Sequence, residues 1–393
     1  MRIVFVMDNM YPNGKASSAR VREYGKGFVI NGIETLVLMP QARIPYKWEK
    51  INPNKGVDEN GVKFRCMSGN SKRNKFLPIR LMLDIWGKIF TLLWLLFRLR
   101  GDDKVILYEG SNLWFKMVIC VCKLRKIKVG LELNELPFAT TTETPEKIKQ
   151  RKYILKKIFH KFNFFLCISQ PLCDLAKEYA KNAIIIKVPI MSEGDLEGED
   201  FANEMPPYIF HSGTLYEQKD GICGMLKAFG IACTNCNCKL EYYLTGTLEN
   251  SPHTKELTHI IKEYGIEDRV HFLGYLDMPT LRKYQKHAFI TIINKYDTQQ
   301  NRFCFSTKLS EYLSFSIPVI TTTIGEANFY LKDGVNAYVV EPHKPECIAE
   351  KIIHIINNPH EASRIGKEGH KLIQKEFNCI YQTKRIINYL LYM

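Results

Sequence analysis

The 393-residue chain lacks the short signatures of several common enzyme classes, and each absence removes a chemistry. It has no Walker A loop and no G-x-G-x-x-G, so neither a P-loop nucleotidase nor a nicotinamide enzyme of the usual fingerprint is expected. G-x-S-x-G is missing, and the ten histidines form no H-E-x-x-H, which excludes the hydrolases built on those motifs. Long apolar runs are missing too. In the most apolar segment, residues 72–100, the uncharged run extends only from 89 to 97, too short to span a bilayer. The N-terminal MRIVFVMDN meets Asp8 soon after Arg2, too early for a signal h-region, and reads as a first strand. Acidic charge is scarce in the first half: residues 1–195 hold 34 Lys and Arg against 18 Asp and Glu, a net of +16. Residues 196–393 hold 21 against 23, a net of −2, so the basic field belongs to the N-terminal half. Such a face attracts nucleic acid, anionic lipid or an anionic acceptor.

Twelve cysteines are scattered through the chain without a secretory signal, which fits reduced thiols in a cytoplasmic compartment. CTNCNC, residues 233–238, has metal-like spacing, but no second Cys or His pair completes a tetrahedral site, and no metal is expected. Apolar residues make up 46% and charged residues 24%, the balance of a globular protein long enough for two domains.

Strand and helix signals alternate, which predicts an α/β protein with mostly parallel sheets. In the first half the strands are RIVFVM (2–7), ETLVLM (34–39), KVILY (104–108), KIKVGLEL (126–133), FFLCIS (164–169) and AIIIKV (183–188), with a helix over 19–31 ended by Gly32. Residues 191–206 turn acidic and lose apolar periodicity, and are read as a linker between a domain of residues 1–190 and one of 207–375. The second domain repeats the pattern with YIFHSG, LEYYLTG, RVHFLG, FITIIN and IPVITT. Helices follow from about residue 349, and the last, 376–393, is expected to pack back on the first domain. Segment 72–100, with Trp86, Phe90, Trp94 and Phe97 among Lys and Arg, fits either an interfacial membrane helix or an apolar core helix.

Ligands in open α/β sheets bind beyond the carboxyl ends of the strands, so the loops there hold the candidate residues. In FSTKLSEYL, residues 305–313, Ser306 and Thr307 are good N-caps, Lys308 follows, and Glu311 lies one turn on. A helix start of this kind suits a diphosphate, and the carboxylate suits two vicinal ribose hydroxyls; a plain dipole complement is the other reading of Glu311. In HSGTLYEQKDG, residues 211–221, Gly213 ends a strand and Lys219 can set a point charge on a phosphate or stay solvated. In LELNELPF, residues 131–138, Asn134 and Glu135 close a strand, and Glu135 is either a sugar-orienting carboxylate or a cap.

Together, EDRVHFLGYL, FSTKLSEYL, IPVITT and KDGVNAYVV, in this order and spacing, resemble the C-terminal domain of the family 4 glycosyltransferases. The N-terminal strand and NGKASSARVREYGKGFVINGIETLVL extend the likeness over nearly the whole chain, and it looks closest to bacterial enzymes of capsule and surface polysaccharide synthesis. The resemblance implies the GT-B fold, two doubly wound Rossmann-like domains facing across a cleft. It also implies a retaining, metal-independent hexosyltransferase with no cofactor, taking a UDP- or GDP-linked sugar to a lipid-linked or oligosaccharide acceptor. By position Gly14 would be the N-terminal loop glycine near the donor phosphates, Lys219 the phosphate lysine, and Thr307, Lys308 and Leu309 the amides cradling the diphosphate. Glu311 would hold the ribose. Two positions depart from the family: Phe303 stands where a first Glu is often found, and Thr214 where an Arg often follows Gly213. With the basic first half, the expected location is cytoplasmic and peripheral at the inner membrane face, on an anionic surface and without nucleic acid. The rivals are another GT-B enzyme, such as a nucleotide-sugar epimerase, and a basic membrane- or nucleic-acid-binding protein.

Overall fold

The computed structural model describes residues 1–14, 16–41, 52–72, 74–139, 143–192, 200–201, 205–213, 215–236 and 239–393. The chain divides into two compact units, Met1–Glu193 with Asn378–Met393, and Gly194–Phe377. Most of the expected linker, 193–199 and 202–204, lies outside the described residues, as does Thr214.

Unit 1 contains strands β1 (Arg2–Met7), β2 (Glu34–Met39), β3 (Lys55–Val57), β4 (Lys63–Cys66), β5 (Lys104–Tyr108), β6 (Lys128–Leu133), β7 (Phe164–Cys167) and β8 (Ile184–Lys187). Its helices are α1 (Ala16–Ile30), α2 (Leu77–Arg98), α3 (Asn112–Leu124), α4 (Pro145–Lys157) and α5 (Gln170–Tyr179). The strands lie in the order β3-β4-β2-β1-β5-β6-β7-β8, parallel except for β3 against β4. All six residues of β1 are buried, as the unbroken apolar run RIVFVM requires of a strand covered on both faces. The order reverses between β1 and β5, so the loops after those strands flank a switch point. Gly14 stands in the turn before α1, packed so closely that a Cβ there would meet the Ser18 hydroxyl at 2.0 Å. Ser18 in turn donates to the Met10 carbonyl at 2.6 Å.

Beneath the carboxyl end of β6, the Arg20 Nε donates to Glu132 at 2.5 Å, and the Tyr24 hydroxyl donates to the second carboxylate oxygen at 2.8 Å. Arg20 also donates to the carbonyls of Val188 and Pro189, both at 2.8 Å. This buried, fully bonded clamp fixes α1 against β6 and against the chain leaving β8, and sets the position from which Asn134 and Glu135 emerge.

Unit 2 contains β9 (Tyr208–His211), β10 (Glu241–Leu244), β11 (Val270–Phe272), β12 (Ile290–Ile293), β13 (Val319–Thr322) and β14 (Tyr338–Val340). Its helices are α6 (Glu217–Asp220), α7 (Ile222–Asn235), α8 (Thr254–Glu263), α9 (Met278–Lys286), α10 (Gln299–Arg302), α11 (Lys308–Ser314), α12 (Pro345–Asn357) and α13 (Pro359–Lys375). All six strands are parallel, in the order β11-β10-β9-β12-β13-β14, with the switch point between β9 and β12. The α/β class and its two Rossmann-like sheets are therefore as expected.

The last helix, α14 (Cys379–Leu391), belongs to unit 1. Asn31 donates to the Ile380 carbonyl at 2.9 Å, and Cys379 N–H to the Ser192 carbonyl at 3.0 Å. A Cβ at Gly27 would lie 2.5 Å from the Cys379 carbonyl, so glycine in α1 permits this close helix crossing.

Candidate functional site

The loops after β9 and β12 place a charged cluster at the unit 2 switch point. Asp220, 3% exposed, accepts from the Lys308 ammonium at 2.8 Å and from the Lys295 ammonium at 3.0 Å, both on its Oδ1. Lys295 also donates to the Lys219 carbonyl at 2.5 Å. Burial alone would raise the Asp220 pKa, but the Lys308 and Lys295 charges outweigh it and hold the carboxyl well below its usual range. Burial also lowers the Lys308 pKa, against the attraction of Asp220. One carboxylate shared by two ammonium groups leaves a net positive charge, an arrangement that attracts an anion.

His211, at the end of β9, lies beneath this cluster and is 1% exposed. Burial first, and then the Lys308 charge, pushes its pKa down to about 3, so the ring is neutral at physiological pH. A neutral ring adds no further repulsion to the two lysines.

Gly213 is where the geometry is tightest. A Cβ there would sit 2.4 Å from the Lys308 Nζ and 3.0 Å from the His211 Nε2. Gly213→Ala should cost about 1 kcal/mol of stability, because the Lys308 terminus can swing away at the low end of overpacking costs. The same swing takes the ammonium off Asp220, so nucleotide affinity should fall more than melting temperature, as paired thermal-denaturation and titration measurements would show. Gly221 has φ +61°, a left-handed turn between α6 and α7, and its carbonyl accepts from Asn294 at 2.9 Å.

The α11 start differs from the expectation for Ser306 and Thr307. Thr307 has helical angles (φ −63°, ψ −24°) and its side chain makes no cap hydrogen bond, because a cap needs extended backbone to bring its oxygen over the first amides. The Leu309 N–H already donates to the Ser306 carbonyl at 3.1 Å. Lys308 is thus the α11 residue joined to the cluster. Glu311 accepts from the buried Gln285 Nε2 at 2.7 Å, so its carboxylate is held in one orientation rather than only facing the helix dipole. The Tyr312 hydroxyl accepts from the Ser212 N–H at 3.0 Å and ties α11 to the end of β9. Phe303, at the end of α10, is half-buried.

The Lys219 side chain is exposed on α6, one residue before Asp220. Glu135 is exposed at the carboxyl end of β6, beside Asn134, whose amide donates to the Tyr108 hydroxyl at 2.6 Å. Asn237 and Cys238 of CTNCNC lie outside the described residues, and among the described residues no group of three His, Cys, Asp or Glu could hold a metal ion. Sequence reasoning missed Lys295, Asp220 as a charge partner, His211 and Gln285. The available signal was topological: Lys295 and Asn294 follow β12, the strand across the switch point from β9.

The segment carrying these residues matches the family model described as glycosyl transferases group 1, over residues 195–372. Over those residues the chain is similar to the group 1 glycosyltransferases. The resemblance to the family 4 glycosyltransferases is thereby borne out. Alpha-1,3/1,6-mannosyltransferase ALG2 of Dictyostelium discoideum is 27% identical to the chain over 183 residues, which are 43% of this chain and 42% of that relative. Among solved structures, HepE of Anabaena in complex with UDP-glucose is similar over 100% of both chains, with TM-score 0.69 and 12% identity. Sucrose-phosphate synthase from Thermosynechococcus elongatus is similar over 100% of both chains, with TM-score 0.69 and 15% identity. At such identities these likenesses establish the fold, which is GT-B.

Proposed function

We propose that the chain is a retaining, metal-independent glycosyltransferase that moves a sugar from a UDP- or GDP-linked donor to a lipid-linked glycan in surface polysaccharide synthesis. The observation that carries this reading is the convergence of Lys308 and Lys295 on Asp220 at the switch point, inside the segment similar to the group 1 glycosyltransferases. Breaking a sugar–phosphate bond builds negative charge on the departing diphosphate, and preorganised cations at that point stabilise the transition state most. In this reading Lys308 and Lys219 neutralise the diphosphate, together with Gly213 and Thr214 of the phosphate loop and the amide of Thr307, while the Leu309 N–H stays on the Ser306 carbonyl. Glu311, held by Gln285, accepts from the ribose hydroxyls. Gly14 and Glu135 are the unit 1 contributions, Gly14 near the phosphates and Glu135 orienting the sugar or acceptor. Unit 1 works at the cytoplasmic face of the membrane; its excess of basic residues supports an anionic acceptor and surface.

A thermal-shift panel of UDP, GDP, ADP and their sugars against wild type and Glu311→Ala tests the donor site. One nucleotide should raise the wild-type melting temperature. Removing a charged acceptor of two hydrogen bonds should weaken that nucleotide by roughly tenfold or more. An equal shift in wild type and Glu311→Ala would remove Glu311 from the ribose site.

A further inference from the structure

The helix α2 makes little use of its apolar surface within unit 1. It buries only Gly87, Thr91 and Leu95, a single narrow row, and at Gly87 it approaches so closely that a Cβ would lie 1.8 Å from the Pro40 carbonyl. Of the two readings of this segment, a core helix would hide its large apolar residues. Instead Ile85 is 60% exposed and Phe97 71% exposed, and Leu81, Trp86, Ile89, Phe90 and Leu93 are exposed with them. Next to it, α3 exposes Leu113, Met117 and Leu124 along one stripe. The two helices meet at their ends, where Arg125 donates to the Leu99 carbonyl at 2.8 Å. Each helix thus leaves a row of large apolar side chains exposed, where scattered single ones are the rule. No helix among the described residues is long and apolar enough to cross a membrane.

On the other flank of α3 lies a cavity of about 860 Å³ at the amino ends of β6 and β7. Lys116, Lys123, Lys126, Lys128, His160 and Lys161 line it, and no acidic residue is among its described lining residues. The local field acts on its neighbours. The Lys104 pKa is lowered, by burial first and then by Lys128 across the strand pair. The Tyr153 phenol pKa is lowered by its hydrogen bond from Lys116 and by the charges of Lys161 and Lys157. A cluster of ammonium groups with no carboxylate between them is a site for a phosphate-bearing anion.

We infer that unit 1 docks on an anionic bilayer, with the exposed rows of α2 and α3 in the interfacial layer and the lysine-lined cavity holding a phospholipid headgroup. This rests on the reading of unit 1 as membrane-facing and names the surface and the ligand class. Aromatic and aliphatic side chains on one side with basic residues beside them are what a helix lying in the interfacial plane needs. No Phe, Tyr or Trp is among the described residues lining the lysine cavity, whereas single-stranded RNA would need stacking aromatics among those basic groups, so lipid is favoured over RNA. The cavity opens at the sheet edge opposite Asn134 and Glu135, so a headgroup there leaves the carboxyl ends of the strands clear for chemistry.

Sedimentation of the full chain with phosphatidylcholine vesicles, and with phosphatidylcholine–phosphatidylglycerol vesicles, tests the inference. Three proteins are compared: wild type, Lys123→Gln/Lys128→Gln, and Ile85→Ser/Phe97→Ser, each checked for an unchanged UDP thermal shift. Wild type should prefer the anionic vesicles. The lysine variant should bind them about thirtyfold more weakly, at roughly 1 kcal/mol per basic residue lost near the surface. The serine variant should lose affinity for both compositions. Equal wild-type binding to both compositions, or an unaffected lysine variant, would overturn the headgroup site while leaving peripheral association standing. Wild-type binding to neither, or to RNA alone, would overturn the docking surface and the membrane-facing reading with it.

Discussion

Lys308→Met should lower glycosyl transfer a hundredfold or more while the chain stays folded. The ammonium of Lys308 is the α11 group that reaches the charged cluster, and methionine keeps most of its length without its charge. Removing one preorganised donor from a developing anion typically costs roughly 3 kcal/mol in the transition state. The substitution leaves Asp220 paired one-to-one with the buried Lys295, so the charge balance that the fold needs is kept. The double variant Lys308→Met/Asp220→Asn tests whether Lys308 acts only through Asp220. It takes the carboxylate away from the buried Lys295 ammonium, so it should be less stable than Lys308→Met, and it should not recover turnover. Recovery of turnover would make Lys308 a structural partner of Asp220 and nothing more.

Unit 2 should lose stability steeply as the pH falls from about neutrality toward 3. The unfolded His211 takes up a proton near its ordinary value of 6.5, whereas in the fold it does so only at about 3. Between those values the unfolded chain binds more protons, so stability is full above 6.5 and declines as pH falls through the window. The span corresponds to on the order of 5 kcal/mol. Asp220 acts in the same direction lower down: its folded pKa lies well below 3.8, so its contribution is present above that value and lost as pH falls beneath it. His211→Leu should flatten the upper part of the profile and leave the lower part. All four tryptophans, at 48, 86, 94 and 114, precede unit 2 in the sequence, so tryptophan fluorescence follows unit 1 while hydrogen exchange follows unit 2. A profile for His211→Leu as steep as that of wild type would contradict the assignment.

Much of the fold was legible because the strands are buried on both faces and read as unbroken apolar runs, from RIVFVM to IPVITT. The pair β3 and β4 was not. All three residues of β3 are exposed, and β4 alternates exposed and buried over only four residues, so neither carries a run. The apolar segment 72–100 left two readings open because hydrophobicity alone does not say which face a neighbour covers; in the fold only the row of Gly87, Thr91 and Leu95 is buried.

The site was half visible. Lys308 and Gly213 stood in motifs, but Lys295 is one lysine after a buried strand, and in sequence that is the same as a solvated lysine. Its meaning comes from the parallel pairing of β9 with β12, a contact between residues far apart in the chain. His211 was hidden for the opposite reason: the strand ending in it looked simply buried, and only the fold shows that complete burial, with the Lys308 charge added to it, excludes its proton.

The most direct test of a nucleotide-sugar site in unit 2 is a calorimetric titration of the wild-type chain with UDP and with GDP, alongside Lys308→Met. One of the two nucleotides should bind saturably at a single site, and that binding should be strongly weakened in the variant. A folded wild-type chain that binds neither nucleotide would contradict the assignment of unit 2 as a donor-binding domain.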